Sequence, residues 1–196
     1  MAKRISVIIV AAGSSNRMGM NTNKIFLDLC GRSVIERTIS AFTDIPEIFE
    51  IILVTKKEFF DDFKNIIKRY FLNIKLVEGG SSREESTYNG LLEVSDDSDF
   101  VICHDGARPL VSRQNIVNVI NELDNYKAVI TGVRVKDTIK YISSDLEVIS
   151  TPDRRLLYNI QTPQAFEKEI ILEGYKKFFE KSSFITDDSS IIEKLG

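Results

Sequence analysis

Apolar residues in this chain gather into short, nearly unbroken blocks, separated by longer stretches in which they recur every three or four positions. Blocks at 5–10, 50–55, 74–78, 100–104 and 128–133 have strand length and are rich in β-branched residues, and they predict five strands. The stretches 33–42, 57–70, 82–95 and 112–124 carry helical spacing. Helix starts are marked as well. Ser33 stands three residues before Glu36, and Ser82 three before Glu85, the capping-box spacing at which a hydroxyl and a carboxylate satisfy exposed amides reciprocally. Strand blocks without polar alternation are buried on both faces, and helical connections make neighbouring strands mostly parallel. The prediction is a three-layer, Rossmann-like α/β fold with a mostly parallel sheet, in one domain spanning 1–196.

Past Val133 the rhythm changes. Residues 137–141 and 147–150 read as short strands around the turn-forming Ser143, Ser144 and Asp145, so a β-hairpin arm is expected at about 137–160, protruding from the main sheet. Such an arm either embraces a second copy of the chain or folds back onto its own sheet.

The start of the chain, MAKRISVIIVAAG, pairs basic residues with an apolar run and so has to be weighed as a signal peptide. The run covers only 5–12, is β-branched and leads into a glycine-containing loop, which is the pattern of a first buried strand. No stretch approaches the ~20 apolar residues of a membrane span. With 196 residues, 43% hydrophobic and 28% charged, the composition is that of a globular chain able to bury a continuous core. A net charge of -3 argues against nucleic-acid and anionic-membrane partners, although local Arg and Lys can still bind an anionic small molecule. Cys30 and Cys103 match no metal spacing and read as reduced core thiols, which points to the cytoplasm.

Open parallel sheets bind ligands beyond the carboxyl ends of their strands, so the loops that follow each strand carry the candidate chemistry. The first is AAGSSNRMG, which continues to Asn23-Lys24. Here Ala12 and Gly13 let backbone amides approach an anion, and Arg17 and Lys24 supply charge to offset a polyphosphate. Its spacing matches neither a dinucleotide fingerprint nor a P-loop. The second, EGGSSR before Ser86, exposes bare backbone at Gly79 and Gly80 that can read the edge of a base; it also reads as a tight turn before a capped helix. The third is CHDGARP, where Asp105 is placed to hold Mg²⁺ against phosphate oxygens. His104, the single histidine, reads as a packed structural residue rather than a base. A fourth group holds Asp137-Thr138 with Lys140, TPDR with Arg154, QTPQ with Thr162, and Thr186-Asp187-Asp188. Hydroxyls and a guanidinium suit a small phosphorylated polyol, while Thr186 with its two aspartates also reads as a helix N-cap.

In order, AAGSSNRM with NK, EGGSSREES, HDGARP, VKDTIK, TPDR, QTPQAF and TDD resemble the 2-C-methyl-D-erythritol 4-phosphate cytidylyltransferases, from Ala11 to Asp188. The resemblance implies transfer of CMP from CTP to 2-C-methyl-D-erythritol 4-phosphate, with release of pyrophosphate, in the non-mevalonate route to isoprenoid precursors. It implies that Arg17 and Lys24 lie on the CTP triphosphate with Ala12 and Gly13, that Gly79, Gly80 and Ser86 read cytosine, and that Asp105 stands by the metal. Thr138, Arg154, Thr162 and Thr186 then bind the acceptor, part of this set coming from the arm of a homodimeric partner. The chain departs from the family pattern in lacking a second glycine at Ser15 or Asn16 and a proline at Asn23. It also stops at Gly196, before a further strand and a substrate-contacting lysine, which reads as truncation. Two other readings remain: a ribitol 5-phosphate cytidylyltransferase, and a nucleotide-binding module without catalysis.

Overall fold

The computed structural model describes residues 3–13, 23–70, 73–181 and 186–195. Its main sheet contains β1 (Ile5–Val10), β2 (Ile48–Thr55), β3 (Asn73–Glu78), β4 (Phe100–Asp105), β5 (Ala128–Arg134) and β8 (Tyr158–Glu167), in the order β3-β2-β1-β4-β8-β5. The β1–β2, β1–β4 and β2–β3 pairs are parallel, whereas β8 is antiparallel to both β4 and β5. A second, two-stranded sheet pairs β6 (Tyr141–Ile142) with β7 (Val148–Ser150). The five predicted strands are therefore present, with β2 and β3 starting earlier and β4 and β5 ending one residue later.

Alternate residues of each strand feed two cores. Ile5, Val7 and Ile9 of β1 pack with α1 (Val34–Thr43), α2 (Phe60–Ile67) and α4 (Arg113–Glu122), through Ile35, Ile39, Phe42, Phe63 and Ile116. Ile8 turns to the opposite layer, formed by α3 (Arg83–Leu92), α5 (Lys168–Lys181) and α6 (Ser189–Glu193), where it meets Leu91, Ile171, Tyr175 and Ile191. Burial on both faces holds for β1, β2 and β4; β3 and β5, at the sheet's edges, are only partly covered. Both predicted N-caps are present. At Ser33 the box is reciprocal, while at Ser82 the hydroxyl accepts from Glu85 N and the Glu85 carboxylate reaches Ser81 N at 2.6 Å. The predicted helix 57–70 is shorter, a 3₁₀ turn at Lys57–Phe59 running into α2.

Two thiols separate in environment. Cys103 is buried as expected, but Cys30 is exposed, in a turn where it takes φ 55° and Gly31 takes φ 81°. The core-thiol reading of Cys30 is thus corrected: a turn needing two left-handed residues lies outside the packed layers.

β8 decides where the arm goes. β4 pairs with it only as far as Cys103↔Gln164, but β5 continues against it from Thr131↔Gln161 to Arg134↔Tyr158. This ribbon runs past the carboxyl edge of the sheet and leads into the β6–β7 hairpin. Within the hairpin, Ser143 Oγ accepts from Asp145 N and Glu147 N at the predicted turn. Residues 137–140, expected as strand, are not, because no partner strand faces them; only Tyr141 and Ile142 pair.

Gly90 lets α3 lie close on the sheet. A Cβ there would stand 2.8 Å from Ile8 Cγ2 and 2.9 Å from Val54 Cγ2, both in fully buried side chains. Gly90→Val is expected to destabilise the fold by about 2 kcal/mol through overpacking, as measured by chemical denaturation.

Candidate functional site

A cleft of ≈ 870 Å³ opens at the carboxyl ends of β1 to β4, lined by Ala12, Gly13, Lys24, Lys56, Gly80, Arg83, Ser86, Asp105 and Arg108 among others. Successive parallel strands deliver these residues to one edge. The loop after β1 supplies Ala12 and Gly13, and a 3₁₀ turn at Lys24–Phe26 supplies Lys24. That turn is held by buried Ile25 beneath it and by Phe26, whose ring lies 5.3 Å from those of Phe59 and Phe63. Asn23, at the position where the family pattern has proline, caps the turn through Ile25 N at 3.4 Å and donates to Gly13 O at 3.5 Å. Both described ends of the loop are thereby tied together. Arg17 lies outside the described residues.

The loop after β3 is shaped by its glycines. A Cβ on Gly79 would overlap the Ala12 methyl, and one on Gly80 would overlap the Glu85 side chain. Ser86, buried in the first turns of α3, accepts from Gly80 N at 3.1 Å and donates to Ser82 O at 2.7 Å. It lines the cleft while holding the glycine backbone in place.

Asp105 ends β4 at the centre of the cleft. The turn behind it is pinned to β1 by Gly106 N donating to Val10 O at 2.8 Å, and to α1 by Thr38 Oγ1 donating to Gly106 O at 2.9 Å. Two guanidiniums flank its carboxylate: Arg83 Nε at 3.3 Å from Oδ1 and Arg108 Nε at 2.7 Å from Oδ2. Burial works to raise the Asp105 pKa, but these two cations outweigh it and hold the carboxyl below its usual range. Asp105 N donates to Thr162 Oγ1 at 3.3 Å, so Thr162 borders the aspartate from β8. Arg83 also forms a two-pronged pair with Asp188, at 2.9 and 2.8 Å, and Asp188 is fully buried. Burial disfavours the Arg83 charge, yet Asp188 and then Asp105 overcome this and raise its pKa.

His104 is sealed beneath the site, its ring 5.1 Å from that of Phe42 and its Nε2 3.2 Å from Arg108 O. Burial lowers its pKa to about 4, so the imidazole is neutral at pH 7 and its role is structural, as the sequence suggested.

The cleft thus gathers Ala12, Gly13, Lys24, Gly80, Ser86 and Asp105, with Gly79 and Thr162 in contact with members of that set. Three predicted residues lie apart from it. Thr138 and Arg154 are exposed on the arm, where Arg154 Nη1 donates to Lys136 O at 2.7 Å. Thr186 is exposed ahead of α6, its amide donating to Ser190 Oγ at 3.4 Å. Asp188 occupies the N-cap position of α6 without a side-chain cap bond, and the neighbouring Asp187 Oδ1 accepts from Ser190 N at 3.1 Å. Sequence reasoning missed Lys56, Arg83 and Arg108 as lining residues. Lys56 was findable as the first residue after β2, and Arg83 and Arg108 stood within motifs already singled out.

Among the described residues, Asp105 is the one acidic residue lining the cleft, and no group of three His, Cys, Asp or Glu side chains could hold a metal ion. A single carboxylate suits Mg²⁺ when substrate phosphates supply the other oxygens, so the donor set fits that ion rather than a closed protein site.

The family model for IspD, 2-C-methyl-D-erythritol 4-phosphate cytidylyltransferase, matches residues 5–196. The chain belongs to this family. It is 44% identical over 195 residues to the 2-C-methyl-D-erythritol 4-phosphate cytidylyltransferase of Caldanaerobacter subterraneus subsp. tengcongensis, covering 98% of this chain and 86% of that protein. It is 45% identical over 193 residues to that of Clostridioides difficile, covering 97% and 81%. Among solved structures, 4-diphosphocytidyl-2C-methyl-D-erythritol synthase from Anaerococcus prevotii superposes with a TM-score of 0.91 at 41% identity, covering 100% of this chain and 85% of that one. The six-stranded, mostly parallel sheet with its antiparallel hairpin is the fold of these cytidylyltransferase structures.

His104 gives a pH prediction. Its folded pKa of about 4 lies below the ordinary value, so between about pH 6.5 and 4 the unfolded chain binds a proton that the folded chain does not. Stability present above pH 6.5 is lost as pH falls through that window, by up to about 3 kcal/mol. Because the chain has a single histidine, His104→Gln is expected to flatten the slope between pH 6.5 and 5 in denaturant unfolding.

Proposed function

We propose that this chain transfers the cytidylyl group of CTP to 2-C-methyl-D-erythritol 4-phosphate and releases pyrophosphate. The observation that carries the reading is the convergence of Lys24, the Gly79–Gly80 backbone and Asp105 on one cleft, in a member of the IspD family. Gly80 and Ser86 border the base, Ala12, Gly13 and Lys24 the triphosphate, with Arg17 assigned alongside Lys24 by the family pattern.

The chemistry follows from charge. An acceptor phosphate oxygen, already ionised at neutral pH, attacks the α-phosphorus; the bond from that phosphorus to the bridging oxygen breaks, and pyrophosphate leaves with the electron pair. No proton has to be removed, so a neutral, buried His104 costs the reaction nothing. Acceleration rests on alignment and on cations facing the spreading phosphoryl charge. Lys24 supplies such a cation, and Asp105 would hold Mg²⁺, which when bound draws charge from the phosphate oxygens. Thr162 fixes the backbone at Asp105 and borders the acceptor side.

The same reading assigns Thr138 and Arg154 to the acceptor of a neighbouring subunit. Support comes from their position on an arm that carries Tyr141, Ile142, Val148, Ile149 and Leu156, each more than half exposed, an apolar surface suited to a second copy of the chain. Thr186 completes the acceptor set from the α6 side. Free thiols at Cys30 and Cys103 fit a reducing, cytoplasmic setting, and no helix among the described residues is long and apolar enough to cross a membrane.

The test is pyrophosphate release with CTP, 2-C-methyl-D-erythritol 4-phosphate and Mg²⁺, against ribitol 5-phosphate as the competing acceptor. Lys24→Ala is expected to lower turnover by at least about 100-fold, or ~2.7 kcal/mol. Unchanged turnover removes Lys24 from the mechanism. For the arm, sedimentation is expected to show a dimer that Ile149→Asp converts to monomer; a native monomer would overturn the shared site.

A further inference from the structure

We propose that Asp188, which faces no part of the cleft, is a positioning residue that sets the charge presented to the nucleotide by dividing Arg83 between two carboxylates. The proposal rests on the cytidylyltransferase reading of the cleft and concerns a residue outside its lining.

Arg83 stands at the first position of α3, with one side of its guanidinium committed to Asp188 and its Nε turned to Asp105 at 3.3 Å. Both terminal nitrogens go to Asp188, at 2.9 and 2.8 Å, leaving only the longer contact for Asp105. Asp188 is itself fixed. It is fully buried, and Tyr175, a buried residue of α5, donates its hydroxyl to Asp188 Oδ1 at 2.5 Å. Its side chain makes no cap bond to α6, although it occupies the N-cap position, so the carboxylate is given over to Arg83 and Tyr175. The pair joins residues 105 positions apart in sequence and connects the layer behind the sheet to the nucleotide edge.

Counted formally, Arg83 and Arg108 balance Asp105 and Asp188, and the cluster is neutral. Removing the Asp188 charge leaves it with one net positive charge, and Arg83 then has Asp105 as its sole carboxylate partner in the cluster. Two consequences oppose one another. A polyanion without metal is held more tightly, while Asp105 is drawn onto Arg83 and away from its role beside the reacting phosphates. A loss of packing alone would weaken nucleotide binding, so the direction of change separates the two.

The experiment measures CTP binding by calorimetry in EDTA and turnover with Mg²⁺, for native protein, Asp188→Asn and Arg83→Gln/Asp188→Asn. Asp188→Asn is expected to bind metal-free CTP about 3-fold more tightly or better, while kcat falls about 10-fold. The gain is expected to vanish in the double variant, where the cluster is neutral again. Unchanged or weaker CTP binding in Asp188→Asn overturns the proposal, as does a gain over native protein that persists in the double variant. Should Asp188→Asn fail to fold, Arg83→Gln and the double variant are compared: the double variant carries one negative charge fewer, so tighter binding of metal-free CTP in it supports the proposal, and equal or weaker binding refutes it. Native protein that binds no CTP would sink the functional reading itself, whereas native binding with no gain in Asp188→Asn sinks only the positioning role.

Discussion

Parallel pairing of β1 with β2 and β4, and of β2 with β3, is the constraint from which the site follows. Strands that run in one direction through a buried sheet end at one edge, and their loops leave from that edge whatever their sequences. Ala12, Lys56, Gly80 and Asp105 are neighbours in space for this reason alone, although more than ninety residues separate the first from the last. Side-chain chemistry then selects what the edge can hold. Lys24 brings positive charge, the glycine pair brings bare backbone, and Asp105 brings a carboxylate.

The central strands were legible because their burial is uniform. Ile5–Val10 carries only apolar residues and one serine, and no amphipathic helix of six residues could bury such a block on every side. Edge strands were legible by composition but not in extent. β8 escaped altogether, and the reason is physical. Its sequence, YNIQTPQAFE, contains a proline and two glutamines, features that argue against an interior strand. The sheet admits it because the register against β5 skips Thr162 and Pro163, and because buried Gln164 is matched on both ends of its amide: its Nε2 donates to Asp187 at 2.9 Å while its Oε1 accepts from Ser189 N at 3.1 Å. Those partners come from a distant segment, so nothing local announces a strand. The segment QTPQ was recognised for its chemistry, and Thr162 does stand at Asp105, but its role as sheet backbone was hidden.

Arg83 illustrates a second limit. Its place in GGSSR marked the loop, yet the fate of its charge depends on Asp188 and Tyr175, which no spacing rule connects to it. Cys30 shows the converse: hydrophobic character placed it in a core, whereas the turn it occupies needs left-handed backbone at Cys30 and Gly31 and so lies at the surface.

The antiparallel entry of β8 between β4 and β5 has consequences in two directions. Toward the cleft, it brings Thr162 against the amide of Asp105. Away from it, the β5–β8 pair, continuing beyond Cys103↔Gln164 without β4, becomes the ribbon that carries Thr138 and Arg154 outward. One strand therefore both borders Asp105 in the cleft and carries the proposed acceptor-binding residues away from it. In the reading proposed above, a chain built this way cannot close the acceptor half with its own arm, and the apolar side chains on that arm supply the adhesion by which a second copy would close it. Separation of the two halves across subunits is then a consequence of where β8 inserts, rather than an addition to the fold.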